Sequence, residues 1–249
     1  VFELSKKAHI IVATGRRYKA ALVDIEKLPV MPFHIVHNGL VIKNTQHQTI
    51  QMGTMPHAVA YEIAELYEQN GYDAFFVSDG YEYGTDYTFT EIAMTRSEAV
   101  RSISQRPLQK ARILKKTDEI LNQHDLPILE VATLGIYSDL IALREKIEAR
   151  LPAAMRAVIV RNIGHSNLSA MEIFSKAHSK GTAVDFVKTA LGVKRTICVG
   201  DDGNDIEMLK LADVGVVMDH AEPHIREVTP YHVSGPEGLA RYLEEYLAK

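Results

Sequence analysis

Short apolar runs, separated by stretches with helical spacing, organise this chain. His9-Ile10-Ile11-Val12-Ala13 is apolar along most of its length and ends in Thr14-Gly15-Arg16, which predicts a buried strand and a loop. Ala20, Val23 and Leu28 then fall at helical spacing, so a helix is expected after the loop. Phe33 to Val36 predicts the next strand, closed by the turn signal Asn38-Gly39. Leu40 to Ile42 and Thr49 to Met52 read as short strands able to pair. Pro56 suits the first turn of a helix with Val59, Ile63, Leu66 and Tyr67 on one face, and Asn70-Gly71 ends it. Ala74 to Val77 reads as a strand, with Ser78-Asp79-Gly80 as its turn. Thr117 to Asn122 reads as helical and Ile128 to Leu134 as extended. Ser138 is expected to cap a helix reaching Leu151, with Leu140, Leu143 and Ile147 turned inward. Ala157 to Val160 and Leu168 to Phe174 complete the middle of the chain as strands.

The last third alternates. Gly181 to Leu191 reads as a helix closed by Gly192, Thr196 to Val199 as a strand, and Asp205 to Leu211 as a helix. Val214 to Val217 follows as a strand and Pro236 to Leu247 as a final helix. Such alternation predicts a parallel sheet covered on both faces. The middle instead holds adjacent strand pairs. The expected fold is therefore α/β: a Rossmann-like parallel-sheet core from residues 1–45 and 176–249, with an α+β domain inserted at 46–175.

Composition narrows the class. The 249 residues are 46% hydrophobic and 24% charged, which excludes a disordered, collagen-like or coiled-coil chain. Lys and Arg number 28 against 32 Asp and Glu, a net charge of −4, and nothing in that balance asks for nucleic acid. The one cysteine, Cys198, lies in an apolar run and reads as a buried hydrophobe. A lone cysteine without a secretion signal favours a reducing compartment, and the cytoplasm is the expected location. No stretch approaches the ~18 apolar residues of a membrane span.

Open parallel sheets bind ligands at the carboxyl ends of their strands. Thr14-Gly15-Arg16 places a hydroxyl, an unhindered amide and a guanidinium after one strand, as an anion site requires, although Thr-Gly turns are also ordinary structure. Val199-Gly200-Asp201-Asp202-Gly203-Asn204-Asp205 places three carboxylates within five residues after another strand. Their mutual repulsion is relieved by a hard divalent cation, and so short a cluster suits Mg²⁺ better than a Ca²⁺ cage. The competing reading is an exposed acidic turn that caps the next helix. Ser179-Lys180-Gly181-Thr182 opens a helix, where an anion is attracted and a lysine adds a full charge, unless that lysine is simply solvated.

Together these pieces resemble the haloacid dehalogenase-like phosphohydrolases, specifically the Cof-type group with a large inserted cap. The second family motif is matched by Ile10 to Arg16, the third-motif lysine by Lys180, and the fourth motif, Gly-Asp-x-x-Asn-Asp, by Gly200 to Asp205. Asn38-Gly39 follows the next core strand as in that group. The resemblance implies Mg²⁺-dependent phosphoryl transfer through an aspartyl-phosphate on a small phosphorylated metabolite such as a sugar phosphate. It implies Asp201 and Asp205 at the metal, and Thr14, Gly15, Arg16, Asn38, Lys180 and Asn204 around the phosphate. It further implies catalytic roles for Lys180 and Asp201.

The family's first motif, Asp-x-Asp-Gly-Thr, has no match. Thirteen residues precede Thr14, too few for its strand, loop and helix, so the nucleophile is expected ahead of residue 1. Phe75 to Gly80 imitates the motif, but Val77 stands where the nucleophile belongs. A non-catalytic phosphate-ligand-binding protein and a phosphomutase are the alternatives on the same scaffold.

Other constellations fall away. Gly164-His165-Ser166-Asn167-Leu168 lacks the last glycine of a nucleophile elbow. His220 and His224 are separated by Pro223, and no H-E-x-x-H occurs, so zinc is not expected. The basic run Gln105 to Lys116 reads as a solvated face. No dinucleotide or P-loop motif is present.

Overall fold

The computed structural model describes residues 3–29, 31–105, 110–161 and 168–248. After a 3-10 turn at Leu4–Lys6 come β1 (Val12–Ala13) and α1 (Tyr18–Ile25). β2 (Phe33–Val36), β3 (Val41–Asn44) and β4 (Thr49–Met52) follow, then α2 (His57–Gln69), β5 (Phe75–Val77) and α3 (Gly80–Tyr83). β6 (Tyr87–Thr90), α4 (Glu91–Arg96), α5 (Glu98–Ser104) and β7 (Ala111–Leu114) come next. The middle of the chain ends with β8 (Glu130–Gly135), α6 (Tyr137–Ile147), β9 (Met155–Val160) and β10 (Ser169–Ser175). The last third runs α7 (Lys180–Leu191), β11 (Ile197–Gly200), α8 (Ile206–Leu211) and β12 (Val214–Met218). It closes with α9 (Pro223–Arg226), β13 (His232–Val233) and α10 (Gly235–Leu247).

The chain divides into two units, one of residues 1–16, 20–52 and 177–249, the other of residues 17–19 and 53–176. In the first unit β1 and β2 pair in parallel, and β3 and β4 add antiparallel strands beyond them. A second sheet, β11-β12-β13, is wholly parallel. Ile35 and Ile42 of the first sheet bury Ala183 and Val187 of α7, which explains the helical spacing of those apolar positions. Val214, Val216 and Val233 of the second sheet pack against Leu239 and Tyr242 of α10.

The second unit is built on one six-stranded sheet, in the order β7-β6-β5-β8-β10-β9. Phe75, Tyr87 and Phe89 form its aromatic core with Val100 and Ile103 of α5. The buried Tyr67 of α2 donates its hydroxyl to the Met171 carbonyl at 3.0 Å, tying helix to sheet.

One expectation needs correction. Ser138 lies inside α6, whose N-cap is Ile136, and its hydroxyl turns to the Asp139 carboxylate at 3.1 Å. The charged side chains of the basic run face solvent over its described residues, as expected: Ala111–Leu114 forms the edge strand β7, with Arg112 paired to Asp125 at 2.9 Å, while residues 106–109 lie outside the described residues. Most of the Gly164 to Leu168 constellation, residues 164–167, also lies outside them. Among the described residues no helix is long and apolar enough to cross a membrane.

Candidate active site

The first unit gathers its polar loops where β1, β2 and β11 end. Beyond β1, the Thr14 amide continues the ladder to the Ile35 carbonyl, and the Thr14 carbonyl accepts the Asn38 amide at 3.2 Å. The loop after β2 is backbone-strained: His37, Asn38 and Gly39 all take positive φ, at 50°, 55° and 93°. Gly39 is needed there, because a Cβ would lie 2.1 Å from the Ser179 carbonyl oxygen. This close approach seats the Asn38 loop against the start of α7.

At that start, Ser179 and Thr182 form a reciprocal capping box that fixes the first turn of the helix. Lys180, only 6% exposed, then reaches Asp205 Oδ1 at 2.7 Å and Asn204 Oδ1 at 3.1 Å. The second Asp205 oxygen accepts the Asp201 and Asp202 amides at 3.0 and 3.1 Å. Both oxygens of this buried carboxylate are therefore engaged, one by an ammonium and one by the loop backbone. Asn204 Nδ2 in turn donates to Asn38 Oδ1 at 2.9 Å. A Cβ on Gly15 would lie 2.5 Å from the same oxygen, so the unhindered glycine lets the two loops meet.

Six of the eight candidate residues thus form one network or flank it: Gly15, Asn38, Lys180, Asn204, Asp201 and Asp205. Thr14 joins through its backbone, while its hydroxyl accepts the Arg16 amide at 3.1 Å. Arg16 is not brought in. Its guanidinium is exposed and pairs with Asp24 at 2.9 Å; Lys27, and then Arg16, hold the Asp24 carboxyl below the usual range.

Asp201 is about half exposed, and its Oδ2 meets His220 Nε2 at 3.0 Å. His220 escaped sequence reasoning because only its spacing to His224 was considered. The placement comes from the sheet: β11 and β12 are parallel neighbours in register from Ile197↔Val214 to Gly200↔Val217, so the residues following each emerge at one end, which strand periodicity alone does not reveal. Among the described residues no group of three or more His, Cys, Asp or Glu could hold a metal. The donors present fit a hard divalent cation bound through few protein atoms, with phosphate and water completing its shell.

Beneath this network lies an apolar cleft of about 650 Å³. Ile11 and Ala13 line one wall, Ile197, Cys198 and Val199 the other. β1 and β11 are both edge strands of their sheets, so the cleft separates two strand edges whose carboxyl ends reach the same network. Burial, with the nearby Asp205 and Asp213 carboxylates, pushes the Cys198 thiol up to about 12.

A family model described as haloacid dehalogenase-like hydrolase matches residues 4–237. HMP-PP phosphatase of Serratia proteamaculans (strain 568) is 24% identical over 247 residues, 96% of this chain and 82% of that protein. Phosphatase YwpJ of Bacillus subtilis (strain 168) is 26% identical over 239 residues, 88% of this chain and 80% of that protein. Among solved structures, a HAD subclass IIB sugar phosphatase superposes with a TM-score of 0.70 at 19% identity, covering 98% of this chain and 87% of that one.

Proposed function

The chain belongs to the haloacid dehalogenase-like hydrolases, and from that premise we propose a phosphatase that hydrolyses a small phosphorylated metabolite, a sugar phosphate or similar, through an aspartyl-phosphate. The observation that carries this reading is the Lys180–Asp205–Asn204–Asn38 network at the strand ends, beside the Asp201 carboxylate. A substrate phosphate carries negative charge, and an approaching carboxylate adds more. Lys180 offsets both from a position fixed by Asp205. Asn38 and Asn204, locked to each other, with the Thr14 hydroxyl and the Gly15 amide, offer neutral polar contacts that hold the phosphate in one orientation. Asp201 is the residue that would hold Mg²⁺, while Asp205 keeps Lys180 and the Asp201 loop in place. When bound, Mg²⁺ supplies further charge neutralisation at the phosphoryl group. The inserted segment takes the part of the family's cap.

The nucleophile belongs, in this reading, to an Asp-x-Asp strand seated in the cleft between β1 and β11. A parallel strand there would bond to both edges, bury apolar side chains on both faces, and end beside Thr14 and Asp201. The test compares the chain as given with one bearing such a strand, using p-nitrophenyl phosphate and Mg²⁺. The extended form is expected to release phosphate, and Asp201→Ala to lower its kcat by roughly 10²-fold or more. Turnover by the chain as given, abolished by Asp201→Ala, would overturn the assignment of the nucleophile. Extended chains that bind phosphate without turnover would favour a non-catalytic phosphate binder.

A further inference from the structure

We propose that Arg17 determines specificity: its guanidinium binds uncharged hydroxyl groups of the substrate's leaving alcohol, so that sugar or polyol monophosphates are preferred over substrates whose leaving part carries a second anion. The inference rests on the phosphatase reading and narrows its substrate class.

Residues 17–19 belong to the second unit, and the neighbours of Arg17 are tied down there. Tyr18 is fully buried, its ring nearly perpendicular to that of Tyr81 at 5.0 Å. Lys19 Nζ lies 3.8 Å from the buried Asp86 carboxylate. Between them the Arg17 guanidinium rests on the Tyr87 ring, 3.9 Å from its centroid, which fixes the plane of its donors. Among the described residues none of those donors is spent on the protein. Nε is sealed from solvent without a hydrogen-bond partner, and no carboxylate pairs with the terminal nitrogens. Arg16 is the opposite case, its guanidinium already paired with Asp24. A guanidinium fork held in place with unused donors, on the residue that follows Thr14-Gly15-Arg16, is built to meet ligand oxygens.

Charge decides which oxygens. Burial raises the Asp86 and Glu130 carboxyls, and Arg17 is among the groups that offset the rise at each. Glu172 adds negative charge beside Glu130. A second anion drawn to Arg17 would cancel that offset and work against these carboxylates. A hydroxyl accepts from the guanidinium without adding charge, and its own proton stays free to be donated. The carboxylates thus discriminate against anions while Arg17 selects for hydroxyls.

The experiment compares wild type, Arg17→Ala and Arg17→Lys in the extended form with Mg²⁺. The substrates are sorbitol 6-phosphate, 6-phosphogluconate, which replaces the terminal hydroxymethyl by a carboxylate, and p-nitrophenyl phosphate, whose leaving group bears no further hydroxyl. Wild type should favour sorbitol 6-phosphate over 6-phosphogluconate in kcat/KM. Arg17→Ala should lower kcat/KM for sorbitol 6-phosphate at least about tenfold more than for p-nitrophenyl phosphate. Arg17→Lys, which keeps the charge but not the fork, should recover only part of that difference. An equal fall on every substrate would make Arg17 a structural support, and a wild-type preference for 6-phosphogluconate would make it a reader of anions. Either result overturns the inference, as does an unchanged ratio. Binding separates it from the phosphatase reading. Saturation transfer from the protein to the carbon-bound protons of sorbitol 6-phosphate should be seen in wild type and lost in Arg17→Ala. If wild type turns over none of the substrates, the phosphatase reading falls and this difference in binding decides the role of Arg17. Equal transfer in both forms, or none in wild type, overturns that role.

Discussion

Lys180 and Asp205 are nearly sealed from solvent, with side chains 7% and 6% exposed. Removing either would leave a buried charge uncompensated, at a cost of about 3–5 kcal/mol. A second acidic residue, Asp213, shows the surface version of such pairing. Its carboxylate accepts Lys188 Nζ at 3.0 Å and the Thr196 amide at 2.8 Å, and these bonds hold its pKa down to about 2 from an ordinary 3.8. A carboxylate depressed in the folded state stabilises fully above its unfolded pKa and loses that contribution as pH falls through the folded value. Stability should therefore drop as pH falls from 3.8 toward about 2, and Asp213→Asn should flatten that limb of a urea-midpoint profile. An unchanged acid limb would show that the pair is not formed in solution. At this scale the sequence was informative where chemistry is concentrated, as at Gly200 to Asp205. It does not reveal that Arg16 pairs with Asp24, because a guanidinium after a strand can turn outward to a nearer carboxylate.

Elements were readable where burial leaves a periodic trace. Phe33–Val36 and Thr49–Met52 coincide with the strands read from their apolar runs, and α7 ends at the left-handed Gly192. The stretch from β6 to β7 was not read. Tyr87–Thr90 buries all four of its residues, two of them threonines, so no alternation of apolar and polar positions marks it as a strand. Cap signals were present all the same: Thr90 accepts the Ala93 amide and Ser97 the Val100 amide, opening α4 and α5. The loop after β2 shows the opposite limit. Asn38-Gly39 announces a turn, but not that the turn must touch the start of α7. Gly39→Ala tests that contact, since the methyl would meet the Ser179 backbone at 2.1 Å with φ at +93°. A loss on the order of 3 kcal/mol in urea unfolding is expected. A near-neutral result would mean that the loop and α7 do not approach each other in solution.

Each unit has its own apolar core, and the first contains a cleft of about 650 Å³ between two sheet edges. Sequence patterning could predict parallel strands but not their neighbours, because an apolar run such as Ile10-Ile11-Val12 reads the same at an edge or in the middle of a sheet. The difference matters physically. Unpaired edge groups beside apolar walls are a template for another strand, and a sheet flanked by helices gains most when every such edge is filled. β1 and β11 should then report on the cleft together. Hydrogen exchange is expected to be faster in β1 and β11 than in β2 and β12, their inner neighbours. Supplying the Asp-x-Asp strand in the same polypeptide should slow both edges at once, since one strand would bond to each. The Cys198 thiol lines the same cleft and should lose its remaining reactivity toward an alkylating reagent in the extended chain. If the edges of the chain as given already exchange as slowly as β2, something else pairs them. Sedimentation would then identify a second copy of the chain by a concentration-dependent doubling of mass. If the added strand slows neither edge, the cleft does not house it, and the proposed location of the nucleophile fails.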